Sequence, residues 1–358
     1  MLTPVTDADQ AEVVVGVDTH KDCHVAVAIS MLGVVLNTGS FPVSAAGYQQ
    51  LLDWARASGQ VKRVGVEGTG SYGAGLTRAL RAAGVEVLEV NRPNRALRRR
   101  RGKTDVVDAE AAARAVLSGE AVVVPKNGEG PVEAIRVLKI AKDSASKARV
   151  QAVNQLRSVL VNAGSRVREP LEHLSLPQLI LRCSAGSWNG LGPAETAVMH
   201  TLGRLARRVQ YLDAEIKDTV KQMTSLIQQT APDLLRVQGI GPDSAAALLI
   251  AAGDNPDRLR GEASFAALCG TSPVEASSGK TRRRRLSRGG NRQANAALFR
   301  AVLSRLRWDP TTQKYLQRRT AEGLSKREII RCLKRYLART VFKILQASLP
   351  LPSATCNP

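Results

Sequence analysis

Four carboxylates sit where a fold could gather them. Asp18 closes the apolar run of VVVGVDTHK and Glu67 closes that of RVGVEGTG, while Asp105 and Asp108 stand three apart in GKTDVVDAE. Residues three apart at a helix start share one face. Acids at strand ends together with acids on a nearby helix are a way to build a hard-cation site, and Mg²⁺ takes oxygen ligands in near-octahedral geometry. Two such ions can clamp the attacking and leaving oxygens of a phosphodiester. Any one of these acids alone reads more simply as a strand-end or helix-cap carboxylate; it is the set of four that carries the inference. Asp22 and Glu110 are nearby spares of lower weight.

A second place where chemistry could occur is PVEASSGK, in which Ser277 and Ser278 precede Gly279. Seven basic residues follow: Lys280, Arg282, Arg283, Arg284, Arg285, Arg288 and Arg292. A serine in a tight turn among arginines could act as a nucleophile, because arginine stabilises a pentavalent phosphorane. Taken alone, the segment is a polar loop.

The elements that must position these residues follow from periodicity. Val13 to Val17 is an apolar run, His24 to Ser30 alternates, and VVLNTGSFPV makes a third strand of a meander. A helix over Ala45 to Ser58, a strand over Val61 to Glu67, a helix over Ala74 to Ala83, the strand VEVLEV and a helix over Thr104 to Leu117 complete the order β-β-β-α-β-α-β-α. That order resembles the ribonuclease H-like arrangement of RuvC-type junction resolvases. In it the first strand carries an acid, a neighbouring strand carries a Glu, and the last helix carries the remaining acids. The Gly-rich turn GTGSYG (Gly68 to Gly73) could cradle a phosphate or simply join strand to helix.

The remaining two thirds read as helical. Val132 to Ala163 and Ala194 to Thr230 are long helices, the latter with an apolar stripe at Val198, Leu202, Leu205, Val209, Leu212, Ile216 and Val220, as in a coiled-coil seam. Glu169 to Pro193 reads as the connector of this arm. Leu234 to Gly253 is a helix–GxG–helix pattern whose Gly239 and Gly241 could bring N–H groups to a phosphate, as helix-hairpin-helix DNA binders do; a plain helical corner fits equally well. The expected domains are an α/β domain at 12–125, a helical coiled-coil arm at 126–230, a mainly α C-terminal domain at 231–348 and a tail at 349–358.

The net charge of +21, from 52 basic and 31 acidic residues, favours a polyanion as partner. One basic run, NRPNRALRRRRGK, contains Arg98, Arg99, Arg100, Arg101 and Lys103, just ahead of Asp105. Aromatic residues are only 3% of the chain, which argues against binding by base stacking and for phosphate contact. No apolar run is long enough to span a bilayer, and the acidic N-terminus is not a signal peptide. The five cysteines are scattered, without metal-ligand spacing, and read as reduced thiols of a cytoplasmic protein.

The motifs together resemble the DEDD transposases of bacterial insertion sequences, the one-ten family with its one-one-one-one branch. GVDTHK, VGVEGTGSYG and KTDVVDAEAAA match its N-terminal RuvC-like pattern. GIGPDSAA, PVEASSGK and SRGGNRQAN match its C-terminal Transposase_20 pattern, with SRGGN in place of SKxGN and QAN where LR is common. The resemblance implies that Asp18, Glu67, Asp105 and Asp108 hold Mg²⁺. It implies that Ser278, with Ser277 as alternate, is the nucleophile of a phosphoserine intermediate. It also implies a bridge RNA that pairs with donor and target DNA, and a homo-oligomer, dimer or tetramer. A metal-only, junction-resolvase-like nuclease without a covalent intermediate is the alternative activity. A non-catalytic nucleic-acid binder is a third reading, which the four acids disfavour.

Overall fold

The computed structural model describes residues 11–90, 104–186, 190–255, 259–279, 284–285, 287 and 289–349. Arg98, Arg99, Arg100, Arg101, Lys103, Lys280, Arg282, Arg283 and Arg288 lie outside them. The described chain forms two compact units, one holding the residues up to Gly128 together with Gly253–Asn255, the other holding Glu129–Ala252 and Leu259 onward.

The first unit runs β1 (Glu12–Thr19), β2 (Cys23–Ser30), β3 (Val35–Pro42), α1 (Ala45–Ala57), β4 (Gln60–Glu67), α2 (Ala74–Ala82), β5 (Val87–Val90) and α3 (Asp105–Leu117), the order expected from periodicity. The strands form one mixed sheet, β3-β2-β1-β4-β5. The β1–β2 and β2–β3 pairs are antiparallel, and the β1–β4 and β4–β5 pairs are parallel. β1 is central and covered on both faces, which explains its unbroken run of valines. On one face Val15, Val17, Val64 and Val66 pack against Leu51 and Leu52 of α1 and Leu76 and Leu80 of α2. On the other, Val14, Val27 and Ile29 pack against Ala109, Ala112, Ala113 and Val116 of α3. Side chains alternate along a strand, so Asp18 follows Val14 and Gly16 onto the α3 face, and Glu67 follows Gly65.

Two glycines let α3 lie flat on the sheet. A Cβ at Gly16 would stand 2.1 Å from the Ala109 carbonyl oxygen and 2.2 Å from the Ala113 nitrogen. A Cβ at Gly65 would stand 2.6 Å from Val116 Cγ2 and 3.0 Å from the Ala112 oxygen. The alanine face of α3 meets these gaps, with Ala109, Ala112 and Ala113 buried. Thr104 caps the helix, its Oγ1 accepting from the Val107 N–H at 3.3 Å, so α3 begins at Asp105, beside the C-terminal ends of β1 and β4.

The second unit contains α4 (Pro131–Val161), α5 (Ser165–Glu172), α6 (Leu176–Ala185), α7 (Pro193–Thr230), α8 (Pro232–Arg236), α9 (Pro242–Ala252), α10 (Glu262–Leu268), β6 (Val274–Glu275), β7 (Arg284–Arg285), α11 (Arg292–Trp308), α12 (Pro310–Ala321) and α13 (Lys326–Ser348). The long α4 and α7 run antiparallel. Val132 and Ile135 share a core with Met223 and Ile227, Arg149 pairs with Asp213, and Ala152, Leu156 and Leu160 share a core with Leu202, Ala206 and Val209.

The segment expected as a connector, Glu169 to Pro193, is partly helical, comprising the end of α5 and all of α6. Pro170 lies inside α5 and Pro177 in the first turn of α6, where a missing N–H costs little. Leu171, Leu179 and Cys183 from this segment are buried. The apolar stripe of α7 is also broader than expected. Met199, Gly203, Ala206 and Thr219 are buried, whereas Ile216 and Val220 are only half-buried. Small residues at 203 and 206 admit α6, the Cys183 carbonyl lying 3.1 Å from where a Gly203 Cβ would be.

Candidate functional site

Asp18 and Glu67 leave the sheet side by side. Val17 pairs with Val66 in the parallel register, so the two acids occupy the next position of each strand. Thr19 Oγ1 donates to the Glu67 carbonyl at 2.8 Å and fixes the strand ends together. The first turn of α3 brings Asp105 and Asp108 to the same end of the sheet. Asp108 is buried and the Asp105 side chain is about half exposed.

His20, two residues beyond Asp18, joins this group. Its Nε2 lies 3.2 Å from Asp18 Oδ2 and 3.3 Å from Asp105 Oδ1. Single ligand atoms from Asp18, His20 and Asp105 all lie within 4.8 Å of one another. Burial pushes the Asp18 carboxyl pKa up, His20 counters this, and the charges of Asp108 and Asp105 push it up further. Like charges crowded at a buried carboxylate oppose its ionisation, and a divalent cation relieves that repulsion. The donor set therefore fits a divalent metal, with mostly hard oxygen ligands and one imidazole. His20 was quoted in the sequence motif without a role; its signal was its place two residues after the acid, where the chain turns back from β1.

The spares behave differently. Glu110 accepts from Arg114 Nε at 2.7 Å, one turn along α3, and Asp22 is exposed in the turn before β2. Neither belongs to the cluster of ligand atoms. The GTGSYG turn closes on itself: the Gly68 carbonyl accepts from the Ser71 and Gly73 N–H groups at 2.9 and 3.1 Å. The structure thus uses two of its N–H groups to make the turn.

In the second unit Gly239 takes φ +88°, and a Cβ there would meet the Ala301 carbonyl oxygen at 2.6 Å. This glycine permits the corner and its close approach to α11. Gly241 is exposed and its carbonyl accepts from the Ala245 N–H at 2.9 Å. The acid at this helix start, Asp243, is bonded by Lys139 Nζ at 2.8 Å, Lys142 Nζ at 2.7 Å and Arg300 Nη2 at 3.2 Å. Burial would raise its pKa, but the lysine hydrogen bonds and charges bring it to about 2.

Ser277 and Ser278 are exposed beyond β6, which pairs with β7 through Val274 with Arg285 and Glu275 with Arg284. Ser277 Oγ donates to Glu275 Oε1 at 3.0 Å. Ser277, Arg284 and Arg285 line a cavity of about 700 Å³, whose described lining does not include Ser278. Arg292 opens α11 and is exposed.

Asn291 and Asn295 tie this region together. Asn291 Oδ1 caps α11, accepting from the Gln293 and Ala294 N–H groups at 2.9 and 3.0 Å. Asn295 Nδ2 donates to the Cys269 and Gly270 carbonyls at 2.8 and 3.1 Å. Asn295 was not singled out from the sequence, although it lies in the QAN that departs from the common LR. At Gly290 a Cβ would stand 2.6 Å from the Leu268 oxygen and 2.7 Å from the Ala267 oxygen, which accounts for the second glycine of the GGN motif.

Comparison with known proteins points the same way for both units. The family model DEDD_Tnp_IS110, described as a transposase, matches residues 15–164. A second, described as the transposase IS116/IS110/IS902 family, matches residues 231–317. The chain is 30% identical over 117 residues to the "Insertion element IS110 uncharacterized 43.6 kDa protein" of Streptomyces coelicolor, an alignment covering 32% of this chain and 29% of that protein. It is 28% identical over 219 residues to "Putative transposase y4rJ" of Sinorhizobium fredii, covering 54% of this chain and 53% of that protein. The chain thus spans about half or less of the curated relatives it matches. No helix among the described residues is long and apolar enough to cross a membrane. With its carboxylate-bearing unit and its serine-bearing unit each matched, the chain belongs to the IS116/IS110/IS902 family of transposases.

Proposed function

We propose that this protein is an insertion-sequence transposase that cuts and rejoins DNA strands with a carboxylate-bound divalent cation and a serine nucleophile. The convergence of Asp18, His20 and Asp105, with Asp108 buried beside them, carries this reading. Asp18, Glu67, Asp105 and Asp108 would hold Mg²⁺, and His20 offers an additional donor. When bound, the cation supplies Lewis-acid stabilisation of charge at a phosphodiester.

The rest of the chemistry falls to side chains of the second unit. Motif spacing points to Ser278 as nucleophile, with Ser277 as the alternate. Placement in the cavity and a hydrogen bond to Glu275 favour Ser277. The serine oxygen forms a bond to phosphorus, and a strand oxygen leaves and takes up a proton. The hydroxyl proton passes to a base, for which Glu275 is placed in the case of Ser277. Attack by a hydroxyl of another strand on the phosphoserine ester reverses these bonds and rejoins DNA. Arginines of the basic stretch, Arg284, Arg285 and Arg292 among them, neutralise the backbone.

The partners proposed are donor and target DNA, a bridge RNA that reads sequence by pairing, and further copies of this chain in a dimer or tetramer, with α4 and α7 forming a coiled-coil arm. The corner at Gly239 and Gly241 would serve as a helix-hairpin-helix contact to phosphate. The domain limits proposed with these roles are 12–125, 126–230 and 231–348, and the protein would work on the nucleoid in the cytoplasm.

The test is strand cleavage by the full-length protein with flank-transcribed RNA and junction-bearing DNA. Asp18→Asn is expected to abolish cleavage in Mg²⁺, as is chelation. A variant that cleaves at the wild-type rate would remove the acidic centre from the reaction.

A further inference from the structure

The cavity beside Ser277 is walled on its far side by residues some 40 to 60 positions later in the chain. Arg319 of α12 and Arg331, Lys334 and Arg335 of α13 line it together with Arg284 and Arg285 of β7. Among the described lining residues, two acids stand against these six cations, and both are engaged. Glu275 accepts from Ser277, and Glu328 accepts from the Ser325 N–H and hydroxyl at the start of α13.

Lys334 is the unusual member. It is 5% exposed. Its Nζ bonds Asn295 Oδ1 at 3.0 Å, a neutral amide, and no carboxylate lies within 4.0 Å of it among the described residues. Burial and the Arg331 charge lower its pKa. A buried ammonium without a counter-charge costs several kcal/mol. Its neighbours are also incompletely satisfied. Arg335 Nη1 and Arg319 Nε are buried without a hydrogen-bond partner, while Arg335 Nη2 is held by Glu262 at 2.8 Å and Arg319 pairs with Glu322. Arg331 has only a loose pair with Glu328, at 3.8 Å. The charge missing from this cavity is negative.

We propose that the cavity is a phosphodiester-binding subsite, in which Arg331 and Lys334 of α13 hold the phosphate of a DNA strand against the Ser277–Ser278 loop. It deepens the serine reading above and rests on it for the identity of the strand. Lys334 reaches the loop through Asn295, which also holds the Cys269 and Gly270 carbonyls at the loop's base. Loading the cavity with an anion therefore bears on the segment that carries the serines.

Cys332 lines the same cavity and is a free, half-buried thiol. Cys23, equally half-buried in the other unit, is an internal control. The experiment follows iodoacetamide alkylation of both thiols by peptide mass spectrometry in the full-length protein, with thymidylyl-thymidine, a single phosphodiester, as probe. The probe is expected to slow labelling of Cys332 and not of Cys23. Arg331→Gln should raise the half-protecting concentration roughly tenfold or more, the worth of one charge-assisted hydrogen bond. Lys334→Arg should keep protection that Lys334→Gln loses. If Lys334→Gln does not fold, Arg331→Gln, at a partly exposed position, decides. No protection in the wild type, protection unchanged in Arg331→Gln, or equal protection by uncharged thymidine would each overturn the proposal. Protection that survives in the Ser277→Ala, Ser278→Ala double variant would separate the subsite from the serines: binding would stand even if those hydroxyls did no chemistry.

Discussion

His24 shows how a single side chain sets a condition on the fold that holds the acids. It is fully buried on β2, stacked on Tyr48 with ring centroids 5.8 Å apart, and neither ring nitrogen has a hydrogen-bond partner. Burial pushes its pKa below the usual 6.5, and the Cys23 backbone offsets only part of this. The unfolded chain therefore takes up the proton first as pH falls. The stability tied to neutral His24 is fully present above about pH 6.5 and is lost as pH falls through the folded-state value. Urea denaturation across pH 8 to 5 should show stability falling by at most about 1.4 kcal/mol per pH unit from this group. His24→Phe, which keeps the stack, should flatten that slope, and an unchanged slope would assign the acid sensitivity elsewhere. At this scale the carboxylates were legible, because an acid that ends an apolar run stands out. His20 and Asn295 were not, because a lone imidazole or amide acquires a role only from what the fold sets 3 Å away.

Elements explain why the acids meet. Gly16 and Gly65 each precede an acid by two residues, and each clears the way for α3 on the face where that acid projects. The motifs GVD and GVE thus encode the acid together with the gap that admits its partner helix. Gly16→Ala would drive a methyl into the α3 backbone, an overpacking that costs about 1–3 kcal/mol. Its carboxylates would be displaced with it. The variant is expected to lose about 2 kcal/mol or more in urea denaturation and to weaken Mn²⁺ binding by calorimetry. Gly70→Ala, with nothing within 4 Å of the added Cβ, should change stability by less than about 0.5 kcal/mol. Equal losses in the two variants would contradict the packing argument. The strand and helix order of this unit was readable largely from period, since its elements have a buried face of their own, except β3, where Phe41 alone is buried. The helices after Glu169 were less so. Their prolines read as breaks, and only burial of Leu171, Leu179 and Cys183 shows that this segment is packed structure.

At the scale of the whole molecule, the chain joins one unit rich in converging acids to another whose surface and cavity are rich in cations. The net charge of +21 is a property of composition and could be read at once. The cavity could not, because Arg319, Arg331 and Lys334 are ordinary helix residues until α12 and α13 fold against the serine loop. The division of labour, with carboxylates in one unit and the serine pair in the other, is the central claim, and a covalent-adduct assay tests it most directly. Full-length protein, flank-transcribed RNA, Mg²⁺ and junction-bearing DNA are combined, and denaturing gels with peptide mass spectrometry look for DNA attached to protein. An adduct on the peptide bearing Ser277 and Ser278, lost on chelation and in Asp18→Asn, is the expected result. Cleaved DNA with no adduct would contradict it and leave a nuclease that works through its metal-binding acids alone.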